Sequence, residues 1–294
     1  MIKIPFLERL AQDAPLVADG ATGTNLQRRG LPAGMAPDEW VFDHPEQILQ
    51  LHQDFIQAGS QIILTDTFGG SSLRLRDSKV AGRAVELNRR AVELARQAAD
   101  PYAVYVAGSI GPTGALLKPY GPLEADEARA AFAEQAAALS SSGVDLLVIE
   151  TQFDLQEAQA AVEGLRQVTD LPFVVSFSFD KGVRTMMGVK PVQVVENFLP
   201  FGPAALGANC GKSLETMQQI VEEMAAAAAG VPIWAKPNAG MPVSGTFPAQ
   251  YDTSPEQMGQ AALDLLKAGA RIIGGCCGSS PEHIAAVAVA VRQA

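Results

Sequence analysis

The sequence predicts an α/β protein built as a single (β/α)8 TIM barrel over residues 1–294. Two observations lead to this prediction. Eight short apolar or β-branched runs alternate with amphipathic segments rich in Ala, Leu, Glu and Gln from one end of the chain to the other. In addition, no linker or low-complexity segment divides the chain, and its length suits eight strand–helix units around one core.

The eight apolar runs are the candidate strands. In chain order they are PLVADGAT, QIILTDTFGG, YAVYVAGSIGPTG, VDLLVIETQ, FVVSFSFD, AALGANC, PIWAKPNAG and RIIGGCC. The segments between them repeat apolar residues at three- and four-residue spacing, as helices that cover a sheet require. Signals typical of helix starts and helix ends support the same units, and they stand at Ser254-Pro255, Ser280-Pro281, Gly59, Gly143, Gly230 and Gly269.

An open, doubly wound sheet is the alternative architecture. It is disfavoured because the DGATGT segment after the first strand does not have the G-x-G-x-x-G spacing. Eight strands without a break in the middle of the chain also favour a closed barrel.

Charge and hydropathy narrow the class of partner and the location. The formal net charge of −10 disfavours nucleic acid and anionic membranes, because either would require a basic surface. The N-terminal segment lacks the continuous apolar core of a signal peptide, and no stretch reaches the roughly 18–20 apolar residues of a membrane span. We therefore expect a cytoplasmic protein that acts on small molecules or on other proteins.

Polar residues follow the predicted strands where a barrel of this kind carries its reacting groups. Because the C-terminal ends of the strands meet at one mouth, the residues at these ends are candidates for a shared site. They are Asp19, Gly20, Gly23 and Thr24 after strand one, Asp66 and Thr67 after strand two, Ser109 after strand three, Glu150 after strand four, Asn209 and Cys210 after strand six, and Cys276 and Cys277 after strand eight.

All three cysteines of the chain are therefore expected to face one mouth. Three converging thiolates suit a soft metal ion, for which zinc is the obvious candidate, and three protein ligands leave one position for a substrate. A thiol is the substrate expected there, which predicts alkyl transfer to sulfur. Three alternatives remain: buried apolar cysteines, a phosphate-binding barrel enzyme, and a zinc-stabilised barrel without catalytic activity.

The motifs DGATGT, ILTDTFGG, GPTG, GANC, PNAG and GGCCGSSPEHI occur in this order, together with the Glu150-Thr151 pair. Over almost its whole length the chain resembles the homocysteine S-methyltransferases, and in particular the homocysteine-binding module of cobalamin-dependent methionine synthase. The resemblance implies a homocysteine-binding barrel domain over residues 1–294. It also implies that Cys210, Cys276 and Cys277 bind Zn²⁺, and that the homocysteine sulfur joins them as the attacking thiolate that forms methionine.

The resemblance also implies an amino-acid pocket made of Asp19, Gly20, Gly23, Thr24, Thr67 and Glu150. In it, Glu150 receives the substrate ammonium, the backbone N–H groups near Gly23 and Thr24 receive the carboxylate, and Asn209 orients a metal ligand. The residue types alone leave other roles open: turn chemistry for Asp19-Gly20, a β-branched strand residue for Thr67, and a rim ion pair or a solvated strand end for Glu150. Asp66 departs from the family, which usually has asparagine there.

The methyl donor is a separate question. The match to methionine synthase ends with this module, so we expect the methyl group to arrive on cobalamin carried by a separate corrinoid protein that docks on residues 68–76 and 112–122. Betaine is disfavoured, because Ser71 stands where betaine-using relatives carry a tyrosine, and the preceding loop has its tryptophan only at Trp40. A small sulfonium donor such as S-methylmethionine is the alternative.

Overall fold

Eight parallel strands form the barrel in the computed structural model, which describes residues 3–294. The strands are β1 (Leu16–Val17), β2 (Ile62–Leu64), β3 (Tyr105–Ile110), β4 (Leu146–Gln152), β5 (Phe173–Ser178), β6 (Ala205–Cys210), β7 (Ile233–Pro237) and β8 (Ala270–Ile273). Consecutive strands pair from β2 to β8, and β8 pairs with β1. A single parallel bridge between Ala18 and Ile62 joins β1 to β2. The predicted (β/α)8 barrel is confirmed.

One long helix follows each strand and covers the outside of the barrel. These eight helices are α4 (Pro45–Gln57), α6 (Ala84–Ala99), α7 (Ala125–Ser141), α8 (Leu155–Arg166), α9 (Pro191–Phe198), α10 (Leu214–Ala227), α11 (Pro255–Lys267) and α12 (Pro281–Gln293). Four short helices accompany them: α1 (Phe6–Leu10), α2 (Gly23–Arg28), α3 (Trp40–Asp43) and α5 (Ser72–Leu75). Single 3-10 turns span Pro37–Glu39, Asp100–Tyr102 and Leu199–Phe201.

The predicted helix punctuation is confirmed. Ser254 and Ser280 precede α11 and α12, each with proline at the first helical position and a capping box. The predicted terminating glycines all have a positive φ, which places them in the left-handed region that favours glycine at a helix end: Gly59, Gly143, Gly230 and Gly269.

Two apolar layers pack on opposite faces of the strands. Alternate residues point into the barrel, where Leu146 and Val148 of β4 lie with Trp234 of β7, while Leu147 and Ile149 point outward against the helices. Helix α1 adds Phe6 to the interior cluster, and the edge of its ring packs on Tyr105 with 5.4 Å between the ring centroids. The lower barrel is therefore a packed core.

Among residues 3–294, the structure contains no helix with the length and apolar character that a membrane crossing requires.

Replacing Gly207 of β6 with alanine should destabilise the barrel strongly. An added Cβ would lie 2.0 Å from the backbone oxygen of Trp234 and 2.6 Å from its Cβ, so β6 or β7 would have to move. We expect a loss of about 3 kcal/mol or more in the free energy of unfolding, measured by urea denaturation with circular dichroism.

The control variant is Gly143→Ala, which carries backbone strain at a positive φ but meets no atom within 4 Å. That variant should lose only about 1 kcal/mol. Equal losses in the two variants would contradict the packing argument.

Candidate functional site

A cavity of about 430 Å³ opens at the C-terminal ends of the strands. Its wall is formed by residues of β2, β3, β4, β6 and β7 and by the loops after β1, β2, β7 and β8. The lining residues are Gly20–Thr24, Gln27, Pro37, Asp38, Leu64–Asp66, Phe68, Ser109, Glu150, Thr151, Cys210, Lys236, Ala249, Tyr251 and Gly275–Cys277. Three larger depressions, of about 660, 630 and 490 Å³, lie elsewhere on the surface and contain no cysteine. The candidate site is therefore the mouth of the barrel.

The three thiols converge in this cavity. The Sγ atoms of Cys210 and Cys276 are 3.0 Å apart, and those of all three cysteines lie within 4.8 Å of one another. Strand β8 ends at Ile273, so Cys276 and Cys277 lie in the loop beyond it, as the sequence predicts for adjacent cysteines that share one ligand site.

The end of β7 holds both cysteine segments in place. Cys276 N donates to Pro237 O at 2.7 Å, and Ala239 N donates to Cys277 O at 2.9 Å. On the other side, Asn238 N donates to Cys210 O at 3.2 Å. The backbone thus brings together thiols that are 66 residues apart in the sequence.

The electrostatics of this cluster suit a cation. Hydrogen bonds from the thiols of Cys210 and Cys276 lower the pKa of Cys277. Hydrogen bonding to the other two thiols, together with burial, raises the pKa of Cys210 far above its usual range. The cluster alone thus favours a single thiolate, and only a bound cation would favour three. Three half-buried sulfur donors at this spacing fit a soft, tetrahedral metal ion such as zinc.

Asn209 lies behind the thiols and does not line the cavity. Its Nδ2 atom donates to Cys210 Sγ at 3.3 Å and to Thr151 Oγ1 at 2.8 Å. Its Oδ1 atom accepts from Ser176 Oγ at 2.6 Å and from Thr151 N at 3.0 Å. The amide is fully used, so it fixes the direction of the Cys210 side chain.

Glu150 projects into the cavity from β4. It lies two residues beyond Val148 and therefore shares its inward direction. Its Oε1 atom accepts a hydrogen bond from Ser109 Oγ at 2.5 Å. Burial raises the pKa of Glu150 to about 7, although the nearby ammonium of Lys236 and the hydrogen bond from Ser109 oppose that rise. The carboxylate is thus available to a cationic ligand near neutral pH.

Two residues expected in the pocket do not line it. Asp19 has both carboxylate oxygens engaged by the protein: Oδ1 accepts from Lys236 Nζ at 2.6 Å and Oδ2 from Leu64 N at 2.7 Å. Thr67 is fully buried and donates to Ser109 O at 2.7 Å. Gly20, Gly23 and Thr24, also expected in the pocket, do lie on the cavity wall.

Lys236 and Tyr251 line the cavity, although the sequence did not single them out. A lysine two residues after Trp234 on a buried strand was a usable signal, because both side chains must point into the barrel. After the two other thiols, the Tyr251 hydroxyl also lowers the pKa of Cys277. The Tyr251 ring packs against Gly278, where an added Cβ would lie 2.2 Å from Tyr251 Cγ. No local pattern marks Tyr251, which comes from the long loop after β7.

Comparison with known proteins identifies the family. The sequence profile of the homocysteine S-methyltransferases matches residues 16–291. The chain belongs to the homocysteine S-methyltransferase family. It is 30% identical to methionine synthase of Mycobacterium leprae and 29% identical to that of Mycobacterium tuberculosis, over 98% and 95% of this chain. It spans about a quarter of the length of these relatives, since each match covers 25% of the relative.

Solved structures agree with the family assignment. The metallated form of the Escherichia coli homocysteine methyltransferase MmuM superimposes with a TM-score of 0.81 and 27% sequence identity, covering 95% of this chain and 96% of MmuM. A methyltransferase from Methanosarcina mazei, with a TM-score of 0.62 and 12% identity, shares the fold. The resemblance stated from the sequence motifs is confirmed.

The thiol cluster predicts stoichiometric metal binding. We expect about one zinc ion per chain after dialysis against zinc, measured by atomic emission, and a sharp loss of affinity when Cys210, Cys276 or Cys277 is replaced by serine, because a hydroxyl is a much poorer ligand than a thiolate. Ser279→Ala changes a buried hydroxyl in the same loop without removing a thiol and serves as the control. Full zinc retention in all three serine variants would refute the metal site.

Proposed function

We propose that this chain transfers a methyl group to the sulfur of homocysteine and forms methionine, with one zinc ion held by Cys210, Cys276 and Cys277. The observation that carries the proposal is that the three thiols and Glu150 lie on the wall of one cavity. A thiol-binding corner and an ammonium-binding carboxylate in one pocket match the two ends of homocysteine. Membership of the family supports the same substrate.

Zinc, when bound, supplies the positive charge that keeps the thiolates ionised and lowers the pKa of an incoming thiol. The residues of the chain bind and orient the substrate. Glu150 receives its ammonium, and the backbone N–H groups around Gly23 and Thr24 receive its carboxylate. Asn209 holds the Cys210 side chain in direction. Lys236 keeps a balancing positive charge beneath Glu150.

The proposed reaction is a methyl transfer in line. The homocysteine thiol gives up its proton to solvent, its sulfur lone pair forms the new S–CH3 bond, and the donor departs with the electrons of its broken bond to the methyl group. The chain contributes orientation, because the sulfur and the ammonium are held at two separate points of the cavity wall.

For the donor, we propose a methyl-corrinoid carried on a separate protein. The similarity to a quarter of two methionine synthases supports this choice. So does the rim of the mouth, where loops after β2, β3, β5 and β7 expose eight large apolar side chains, as a protein-binding surface requires. They are Phe68, Leu116, Tyr120, Met186, Met187, Met241, Val243 and Phe247.

A small sulfonium donor is the second candidate. The similarity to MmuM, a homocysteine methyltransferase of which 96% is covered, supports the methyl acceptor and leaves this donor open. A barrel of this size would then bind both substrates in the one cavity.

Replacing Glu150 with glutamine should weaken homocysteine binding by about 10- to 100-fold while zinc content is unchanged, because the variant loses a charged partner for the ammonium. The measurement is isothermal titration of the zinc-loaded protein with homocysteine. Burial raises the pKa of Glu150 to about 7, so its charge is present above that pH and lost below it. The difference between wild type and variant should therefore grow as the pH rises from 6 to 8.

The matched control for this titration is Glu157→Gln, which neutralises a buried carboxylate that does not line the cavity. Its homocysteine affinity should equal that of wild type. If Glu150→Gln also binds homocysteine as wild type does, the ammonium site lies elsewhere.

The donor is tested by supplying zinc-loaded enzyme and homocysteine with methylcobalamin, S-methylmethionine or betaine in parallel, and by measuring methionine. We expect turnover with methylcobalamin and none with betaine. Turnover with S-methylmethionine and none with methylcobalamin would replace the corrinoid proposal with the sulfonium one and leave the homocysteine site intact.

A further inference from the structure

Two further carboxyl groups line the cavity wall. Asp38 comes from the 3-10 turn between α2 and α3, and Asp66 follows β2. Both residues line the cavity and are almost entirely buried, with exposed fractions of 4% and 3%. We call Asp38 and Asp66 the acidic pair.

The two members of the acidic pair differ in the hydrogen bonds that their carboxylate oxygens accept from the protein. Asp38 Oδ1 accepts a hydrogen bond from Gly69 N at 2.9 Å. An added Cβ at Gly69 would lie 2.9 Å from Asp38 Oδ2, so the glycine permits this close approach. In contrast, Asp66 Oδ2 is buried and has no hydrogen-bond partner. A buried carboxylate oxygen without a partner is costly, and it indicates a group that a ligand completes.

The segment around Asp66 is held rigidly, so the carboxyl group cannot easily turn away to solvent. Thr65 Oγ1 and Thr67 Oγ1 lie 2.7 Å apart, and Thr67 Oγ1 donates to Ser109 O. From helix α7, Gln135 Nε2 donates to Thr67 O at 2.8 Å. Both neighbours of Asp66 are thereby fixed to β3 and α7.

Neither member of the acidic pair has a close counterion in the part of the chain that the structure describes. Among residues 3–294, neither carboxylate has a Lys, Arg or His nitrogen within 4.0 Å, whereas Asp19 has Lys236 Nζ at 2.6 Å. The exposed Arg74 acts on Asp38 only at longer range, and neighbouring Glu39 adds negative charge. The acidic pair therefore lacks the close counterion that Asp19 has.

The pKa values of both carboxyl groups in the pair reflect the lack of a close counterion. Burial raises the pKa of Asp66 well above its usual range, and the charge of Asp38 adds to the effect. Burial also raises the pKa of Asp38 to about 6. A positive group entering between them would favour both ionised forms.

We propose that the acidic pair is a subsite for the positively charged organic group of a substrate, with Asp66 Oδ2 as its direct partner. The inference rests on the proposed function, because the subsite shares its cavity with the thiols that would bind homocysteine. A metal ion is not the expected occupant: Cys210, Cys276 and Cys277 are the only group of three or more potential metal ligands clustered within residues 3–294. An organic cation needs only charge and one or two acceptor oxygens.

Two substrates could carry such a charge. One is homocysteine, whose ammonium Asp66 would then share with Glu150, and the other is an onium methyl donor, through its sulfonium or quaternary ammonium. Asp66→Asn distinguishes them, since it retains the shape of the side chain and removes the charge. If the ammonium is the occupant, the homocysteine dissociation constant of the zinc-loaded variant rises about tenfold or more without any donor present. If an onium donor is the occupant, homocysteine binding is unchanged and the KM for S-methylmethionine or betaine rises by a similar factor.

Methylcobalamin is the control donor, because its methyl group is not carried by an onium centre, and Glu157→Gln is the control variant for loss of a buried carboxylate. Asp38→Asn provides a second test of the pair. It replaces Asp66→Asn if circular dichroism shows that Asp66→Asn does not fold. Unchanged homocysteine binding and unchanged KM for every donor that wild type uses would overturn the subsite alone. Failure of the wild-type protein to bind homocysteine would instead overturn the proposed function.

Discussion

The ion pair between Asp19 and Lys236 joins the parts of the barrel on which the mouth depends. Backbone pairing between β1 and β2 is confined to the single bridge at Ala18 and Ile62. Next to it, one oxygen of Asp19 accepts from Leu64 N, and the other binds the ammonium of Lys236 from β7. One buried carboxylate therefore connects β1, β2 and β7. Removing either partner would leave an uncompensated buried charge, which costs about 3–5 kcal/mol.

The same ion pair organises charge across the cavity. It places a fixed positive charge under Glu150, which holds that carboxyl group nearer its ionised form than burial alone would allow. The thiols line the same cavity, where the hydrogen bond from Asn209 sets the direction of the Cys210 side chain. The acidic pair lines the same cavity and has no counterion within 4.0 Å among the described residues. One cavity thus offers distinct environments for a thiol, for an ammonium and for a further cation.

Strand alternation explains how an apolar barrel carries a polar mouth. Inward positions near the N-terminal ends hold residues such as Leu146 and Trp234, which fill the core. Further along the same strands the inward positions are polar: Glu150 lies four residues after Leu146, and Lys236 lies two residues after Trp234. These polar positions lie above the packed core, where Glu150 and Lys236 line the same cavity. The reactive groups are therefore mounted on strands that the core makes rigid.

Much of this arrangement could be predicted from the sequence, because it depends on local period and on strand direction. The apolar runs, the serine–proline starts and the glycine ends specify eight strand–helix units, and the shared edge of parallel strands brings Cys210 to Cys276 and Cys277. The same rule places Glu150 in the mouth.

Tertiary structure alone decided which polar residues face the ligand. Asp19 and Thr67 stand at strand ends like the others, yet each is turned to a protein partner by contacts 217 and 42 residues distant in the sequence. Tyr251 lies near Cys277, and Asp38 lies near Asp66, because of loop conformations that no sequence periodicity predicts. The physical reason is that a side chain at a strand end has several possible partners of comparable energy, and only the packing of distant loops selects among them.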